Sequence, residues 1–365
     1  MRRTTFKASL LAAAATFAFA APALAQSEPT EVDEVIVTLQ KREQAIQDVP
    51  TSLTAYDGNF LNELGVTEFN ELSAFVPGFE VQNQSPNNPG FVMRGLTSDN
   101  LEATNEPRVS VFQDGVSISR ATGAYVELFD LERVEIAKGP QSTLFGRGAL
   151  IGGVNIIQNK ARLGELDWAG RASVGNLGYT MLDGMINVPL GETLAVRVAG
   201  RTKNRDGYVD NVLGGEAFNS IDTSAWRVSA QFSPNDRMRF DLIYNRQEDS
   251  PSATSFKSIT VLPTDPTTGA VLAGQAPWDG AALAAGPGFK RLGTDREVSG
   301  TTLLGEIELS DAWTLNTISA WRDFEASESG DADGISLPIL GFDRQTTGEQ
   351  FSQEIRLGYD AGGSF

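Results

Sequence analysis

Residues 131–157 read LERVEIAKGPQSTLFGRGALIGGVNII. Two apolar runs rich in β-branched residues, 134–137 and 154–157, flank a centre that holds Gly139, Gly146, Gly148, Gly152 and Gly153. Such runs suit a pleated, half-buried surface and the glycines suit tight turns, so the stretch predicts strand, turns, strand. It is not a phosphate loop. Gly139 and Gly146 have the wrong spacing, and no Gly-Lys-Ser/Thr follows to supply the lysine and the magnesium ligand.

Outward from this stretch, the composition is that of a folded, mainly β chain. Its 365 residues are 41% hydrophobic and 21% charged, with 37 glycines, and Asn, Asp and Ser recur between short alternating runs. The net charge of −18 argues against nucleic acid as a partner. There is no Cys, hence no disulfide framework, and no His. Without His, a Ser-His-Asp or Cys-His centre, a His-ligated zinc and an axial haem histidine are all ruled out. No carboxylate pair stands out for hydrolysis, so no catalytic residue, metal site or cofactor is expected.

The amino terminus has the three parts of an export signal. Arg2, Arg3 and Lys7 are basic, residues 10–21 are apolar, and Ala23-Leu24-Ala25 is a small-residue cleavage site before Gln26. The apolar run is shorter than the roughly 20 residues a membrane helix needs. Ordinary Sec export with removal of residues 1–25 is predicted.

The 131–157 stretch resembles the end of the plug domain of TonB-dependent outer-membrane receptors. The resemblance runs from about Glu34 to at least Arg162 and more loosely to the end of the chain, with Lys138, Ser142 and Gly148 where the family usually has Arg, Gly and Asn. It implies a small α/β plug followed by antiparallel transmembrane β-barrel strands. The expected organisation is signal peptide 1–25, periplasmic segment 26–43, plug 44–162, and barrel strands 163–365.

Glu34, Val35, Ile36, Val37 and Thr38 form a β-branched run in a polar segment. Such a run can add a strand to a partner's sheet edge or serve as a plain linker. Its place between the cleavage site and the plug favours the first, and it resembles the family's TonB box. The implied partners are TonB, with ExbB and ExbD in the inner membrane, the outer-membrane lipid, and a small-molecule or metal-chelate ligand.

Within the plug, residues 47–56 read as extended. Asp57 or Asn59 can cap a helix carrying Phe60, Leu61 and Leu64, and Thr67 another with Phe69, Leu72 and Phe75, both faces expected in the core. Residues 79–82 and 91–94 read as strands, and 109–119 as a hairpin around Asp114-Gly115. The polar loop 96–108 holds Asp99, Asn100, Glu102, Asn105 and Glu106, which the resemblance makes candidate ligand contacts. Arg94, Gly95, Asp114, Gly115, Arg133, Glu135, Gly139, Pro140, Gly146, Arg147, Gly152 and Gly153 are expected to shape the plug. The charged set Arg94, Arg133, Lys138, Arg147, Glu132 and Glu135 is expected to pair with the barrel's polar inner face.

From Trp168 onward apolar and polar residues alternate in segments of about the 9–11 residues that a tilted membrane strand requires. Every second connection is short, the long ones lying near 206–222, 248–299 and 325–349. About eight strands result. Eight strands close around little more than their own side chains, leaving no room for a plug, so the chain is expected to be the amino-terminal part of a longer receptor. The function implied is TonB-dependent uptake of a scarce, bulky ligand, ferric siderophore being the family's commonest theme. Aromatic compounds, oligosaccharides and cobalamin are alternatives of the same mechanism; a passive porin or a surface adhesin is the alternative from another class.

Overall fold

The computed structural model describes residues 36–38, 41, 44–97, 106–145, 148–211, 215–256, 291–332, 334 and 341–360. They belong to one compact unit that begins at Val35. The chain enters through a small antiparallel pair, β1 (Ile36–Val37) with β2 (Gln44–Ala45). A 3-10 turn, Ile46–Asp48, then occupies part of what reads as extended in sequence. Pro50 holds Val49 in extended backbone, so the next strand, β3 (Leu53–Asp57), starts only beyond that corner.

Two short helices follow, α1 (Gly58–Glu63) and α2 (Phe69–Ser73). Asp57 caps α1, its carboxylate accepting from Phe60 N at 2.9 Å. Thr67 does not cap α2. Glu68 is the N-cap, and the Glu71 carboxylate reaches back to accept from Thr67 N, Thr67 Oγ1 and Glu68 N. Only Leu61, Phe69 and Leu72 of the predicted apolar faces are buried. Phe60, Leu64 and Phe75 stay 41%, 39% and 41% exposed, because a helix of one or two turns presents a single narrow face to the sheet.

The plug continues through β4 (Phe79–Ser85), β5 (Asn88–Met93), β6 (Leu96–Thr97), β7 (Val109–Gln113), β8 (Val116–Ile118), α3 (Ala121–Ala124), β9 (Leu131–Lys138), α4 (Ser142–Phe145) and β10 (Gly152–Gln158). Its main sheet has five strands in the order β3-β9-β10-β7-β8, with β9 and β10 antiparallel and β10 and β7 parallel. The opening stretch of sequence is therefore the centre of this sheet, with the short α4 among the turns. Two-residue turns at Asp114-Gly115 and Arg94-Gly95 have positive φ at both positions, the geometry that matches the twist of a hairpin. Phe69 packs edge-on against Phe91, centroids 5.5 Å apart, and beside Tyr125 at 5.7 Å.

The second layer is one eight-stranded sheet in strict sequence order: β11 (Asp167–Val174), β12 (Thr180–Pro189), β13 (Leu194–Arg205), β14 (Ile221–Asn235), β15 (Met238–Asp249), β16 (Gly293–Ser310), β17 (Trp313–Asp331) and β18 (Gly341–Tyr359). Every neighbouring pair is antiparallel. β11 and β18 are its two edges among the described residues.

β16, β17 and β18 run 18, 19 and 19 residues, well beyond the length predicted, so parts of the expected loops 248–299 and 325–349 are strand. The outward face explains the difference. On β17 it reads Trp313, Leu315, Thr317, Ser319, Trp321 and then Asp323 and Glu325; on β18 the partners of those last two are Glu349 and Thr347. The stretch from Trp313 to Trp321, tilted, covers about 20 Å of height, close to the apolar band of a membrane barrel. Beyond it the strands stay paired, and there their outward positions lose the apolar residues. No helix among the described residues is long and apolar enough to cross a membrane, which says nothing of strands.

Candidate functional site

The wall is inverted relative to a soluble sheet. Trp168, Leu182, Leu242, Trp321, Phe351 and Ile355 are exposed, whereas Arg197, Arg201, Lys203, Arg227 and Arg296 are buried against the plug. A charge taken from water needs a partner, and the segment leading into β9, YVELFD, supplies them.

Asp130 accepts from Arg197 Nε at 2.9 Å and pairs with Arg227, whose Nη2 also reaches the Asp130 carbonyl at 2.7 Å. Glu127 takes Lys203 Nζ at 2.8 Å and Arg201 Nη1 at 3.6 Å. Lys203 also pairs with Glu68, which accepts the Tyr125 hydroxyl at 3.0 Å. Arg201 and Arg227 lie over the Phe129 ring at 5.8 and 5.1 Å. Farther round, Arg296 Nε donates to Thr122 O at 2.6 Å, and Arg322 Nη1 to Gln113 Oε1 at 2.8 Å.

The carboxylates respond to this setting in opposite directions. Burial pushes Glu127 up, against the pull of Lys203. Burial also acts to raise Asp130, but the hydrogen bond from Arg197 and the charge of Arg227 outweigh it and hold Asp130 below the ordinary carboxylate range. Burial raises the Tyr125 hydroxyl well above its usual value.

Of the charged residues singled out from sequence, Glu132, Arg133, Glu135 and Lys138 pair within the plug. Arg133 pairs with Glu132 and, at 2.8 Å, with Glu135, all on β9, and Lys138 Nζ donates to Pro77 O at 3.0 Å. β9 lies between β3 and β10, so its charges serve the plug itself, while the wall meets the segment just before it. Glu68, Glu127 and Asp130 were missed. The signal was the crowding of Arg197, Arg201, Lys203 and Arg227 on one polar face, which demands carboxylates from another part of the chain.

Glu135 is fully buried and holds the amino-terminal segment. Its Oε1 accepts from Thr38 N at 2.8 Å and Thr38 Oγ1 at 3.3 Å, and Arg133 Nη2 donates to Thr38 Oγ1 at 3.1 Å. Val37 is 1% exposed while Ile36 is 42% exposed. Lys41 Nζ meets Glu354 on β18 at 3.3 Å, and its carbonyl accepts from Arg356 Nη1 at 2.8 Å. Glu34 and Val35 lie outside the described residues.

Of the loop candidates, Asp99, Asn100, Glu102 and Asn105 lie outside the described residues; Glu106 is half-buried, close to Gly148. Gly146 and Arg147 also lie outside. Arg94 N donates to Gly78 O at 2.7 Å, fixing the turn that includes Gly95. Asp114 accepts from Gln158 N at 3.0 Å and pairs with Lys160; Gly115 faces Ile318 of the wall. Gly139 N donates to Ile151 O at 3.0 Å, and Pro140 beyond it is exposed. A Cβ on Gly152 would sit 2.7 Å from Ala137 O, and one on Gly153 would touch the Phe112 ring at 3.4 Å.

The model of the TonB-dependent receptor plug domain matches residues 45–154. Residues 45–154 form a TonB-dependent receptor plug domain. Among similar proteins of this family is a vitamin B12 transporter, BtuB, of Vibrio vulnificus, 22% identical over 352 residues that make up 89% of this chain and 56% of the relative. The iron-regulated outer membrane virulence protein of Vibrio cholerae is 25% identical over 245 residues, 63% of this chain and 36% of the relative. The chain thus spans about half, or less, of the length of these relatives. Among solved receptors, the ferric yersiniabactin uptake receptor FyuA of Yersinia pestis superposes with a TM-score of 0.68 at 21% identity, covering 86% of this chain and 46% of that one. The siderophore receptor PiuA of Acinetobacter baumannii gives 0.68 at 19% identity, covering 91% and 46%. These likenesses show the fold, a plug sheet followed by part of an antiparallel barrel wall.

Proposed function

We propose that this receptor chain serves energised uptake of a scarce, bulky ligand across the outer membrane, reached after cleavage of an export signal at residue 25. The observation that carries the reading is the Ile36–Lys41 region. Among the described residues its strand is the two-residue pair of β1 with β2, and the side chains of Glu135, Arg133, Glu354 and Arg356 hold Thr38 and Lys41. A short strand held at the plug's edge through side chains can leave to pair with TonB, which with ExbB and ExbD transmits inner-membrane energy. The work is binding and mechanical rearrangement, with no covalent step.

Ferric siderophore is the favoured cargo. The support is that one relative is named as iron-regulated and the solved receptors above are named for siderophores, although another relative is named for vitamin B12. The loop with Asp99, Asn100, Glu102, Asn105 and Glu106 is proposed to meet the cargo.

Deleting residues 34–38 is expected to abolish energised uptake in cells while leaving surface binding of the cargo intact. Uptake that survives the deletion overturns the reading.

A further inference from the structure

Two carboxylates of the segment that leads into β9 are buried against the wall, and they are served very unequally. Asp130 accepts from Arg197 Nε and Nη2, Arg227 Nη2 and Asn159 Nδ2. Glu127, 6% exposed, has the ammonium of Lys203 at 2.8 Å and shares it with Glu68. Its Oε2 accepts no hydrogen bond among the described residues.

The neighbouring charges are committed elsewhere. Arg201 stays 3.6 Å from Glu127 Oε2, because its Nη1 donates to Leu128 O at 2.8 Å and its Nη2 turns to Asp183 at 3.5 Å. Farther along β13, Arg205 gives its Nη2 to Asn219 O. On the other side of the segment Arg296 is taken by Asp249, and the Gln247 amide nitrogen donates to that same carboxylate. From the plug, Glu71 is spent on the backbone at the start of α2, and the Tyr125 hydroxyl donates to Glu68.

Lys203 is therefore contested by two buried carboxylates, and the contest is uneven. Burial acts to raise Glu68, but the charge of Lys203 and the hydrogen bonds from Lys203 and Tyr125 hold it below the ordinary carboxylate range. Glu127 lacks that second donor. A buried carboxylate with too few donors is better accommodated neutral.

We infer that Glu127 is a proton switch in the contact between plug and wall: it takes up a proton as the surroundings turn mildly acid, and the plug is then held more tightly on β13. Glu127 is pushed up by burial, so the docked state binds this proton more firmly than the released chain, where a glutamate titrates near about 4.3. Docking gains as pH falls through the raised value toward the unfolded one, and the gain is absent at higher pH. One proton sets the limit, roughly tenfold in the docking constant per pH unit. The chain has no His, so no side chain of ordinary pKa changes charge between about pH 5.5 and 8. On the transport reading, a plug better held in acid yields less readily to TonB; the inference itself concerns docking and does not rest on uptake.

The urea midpoint of the plug transition, followed in detergent on the full chain between about pH 8 and 5.5, tests it on the parent, Glu127→Gln and Glu68→Gln. The parent midpoint is expected to rise as pH falls, by up to about tenfold in the docking constant for each pH unit. Glu127→Gln, neutral and of the same shape, should keep the midpoint at or above the parent's at the alkaline end and flatten the profile. Glu68→Gln leaves Lys203 wholly to Glu127, so the rise should move to lower pH.

A flat parent profile, or a slope that survives Glu127→Gln, overturns the inference, and so does a rise that Glu68→Gln leaves in place. A Glu127→Gln chain that is weaker than the parent at every pH, or that no longer folds, also overturns it, because the ionised form is then the one the dock requires. Failure of the transport reading is read separately, as uptake that survives deletion of residues 34–38, whatever the pH profile.

Discussion

Asp130→Ala leaves two buried guanidinium groups, Arg197 and Arg227, without their carboxylate and is expected to weaken docking of the plug on the wall by about 3–5 kcal/mol. The magnitude follows from asymmetry. Water is not available to either arginine, 4% and 1% exposed, so removing one partner strands both charges rather than deleting one contact. The urea midpoint of the plug transition, followed in detergent, should fall, and β9 amides should exchange faster. An unchanged midpoint would mean that the charge cluster is incidental to docking.

The same residue sets an acid limit. Asp130 is held below the ordinary carboxylate range, so its contribution is complete above the unfolded value of about 3.9 and is lost as pH falls through the lower folded value. Asp130→Asn should remove that part of the pH dependence and be destabilising at neutral pH.

Glu135→Ala is the second large effect, expected to cost about 2–4 kcal/mol in the holding of the amino-terminal segment. One fully buried carboxylate accepts from Thr38 twice, pairs with Arg133, and accepts from Asn155 Nδ2 at 3.3 Å. Without it, Thr38 loses its main anchor and Arg133 faces a gap. Hydrogen exchange at Val37 and Thr38 should rise toward that of an unheld strand, with the β7–β10 amides little changed. Protection at Val37 that equals the parent's would place the anchor elsewhere, on Lys41 and β18.

The fold was largely legible because its signals are local. The 134–137 and 154–157 runs are the paired β9 and β10, and the turn at Asp114-Gly115 follows from residues that tolerate positive φ. The alternation from Trp168 onward located every wall strand, yet it understated β16 to β18, since their upper ends carry Asp295, Glu297, Asp323 and Glu325 outward, above the apolar band. Polar on both faces, such strands are indistinguishable from loops in one dimension.

The site was less legible because its partners are far apart in the chain. Arg133 and Glu135 were recognisable as a charged motif, but Thr38, which they hold, lies 95 and 97 residues away in the chain. Asp130 and Arg197 are 67 residues apart, and the pairing of Asp130 with both Arg197 and Arg227 is fixed by the β13–β14 register, which no periodicity encodes. Phe60, Leu64 and Phe75 read as core because helix periodicity marks an apolar face without saying how much of it a short helix can bury.

The central claim is that the wall's apolar face lies in lipid while its charged face holds the plug. Spin labels on single cysteines along β14, from Trp226 to Phe232, in the full chain reconstituted into phospholipid vesicles, test it most directly. The account predicts a period of two: labels at Trp226, Val228, Ala230 and Phe232 relaxed by oxygen dissolved in lipid, and labels at Arg227, Ser229 and Gln231 shielded from both oxygen and a water-soluble nickel chelate. Uniform access of the nickel chelate to the outward positions would contradict it, placing the sheet in water and the plug on a soluble face.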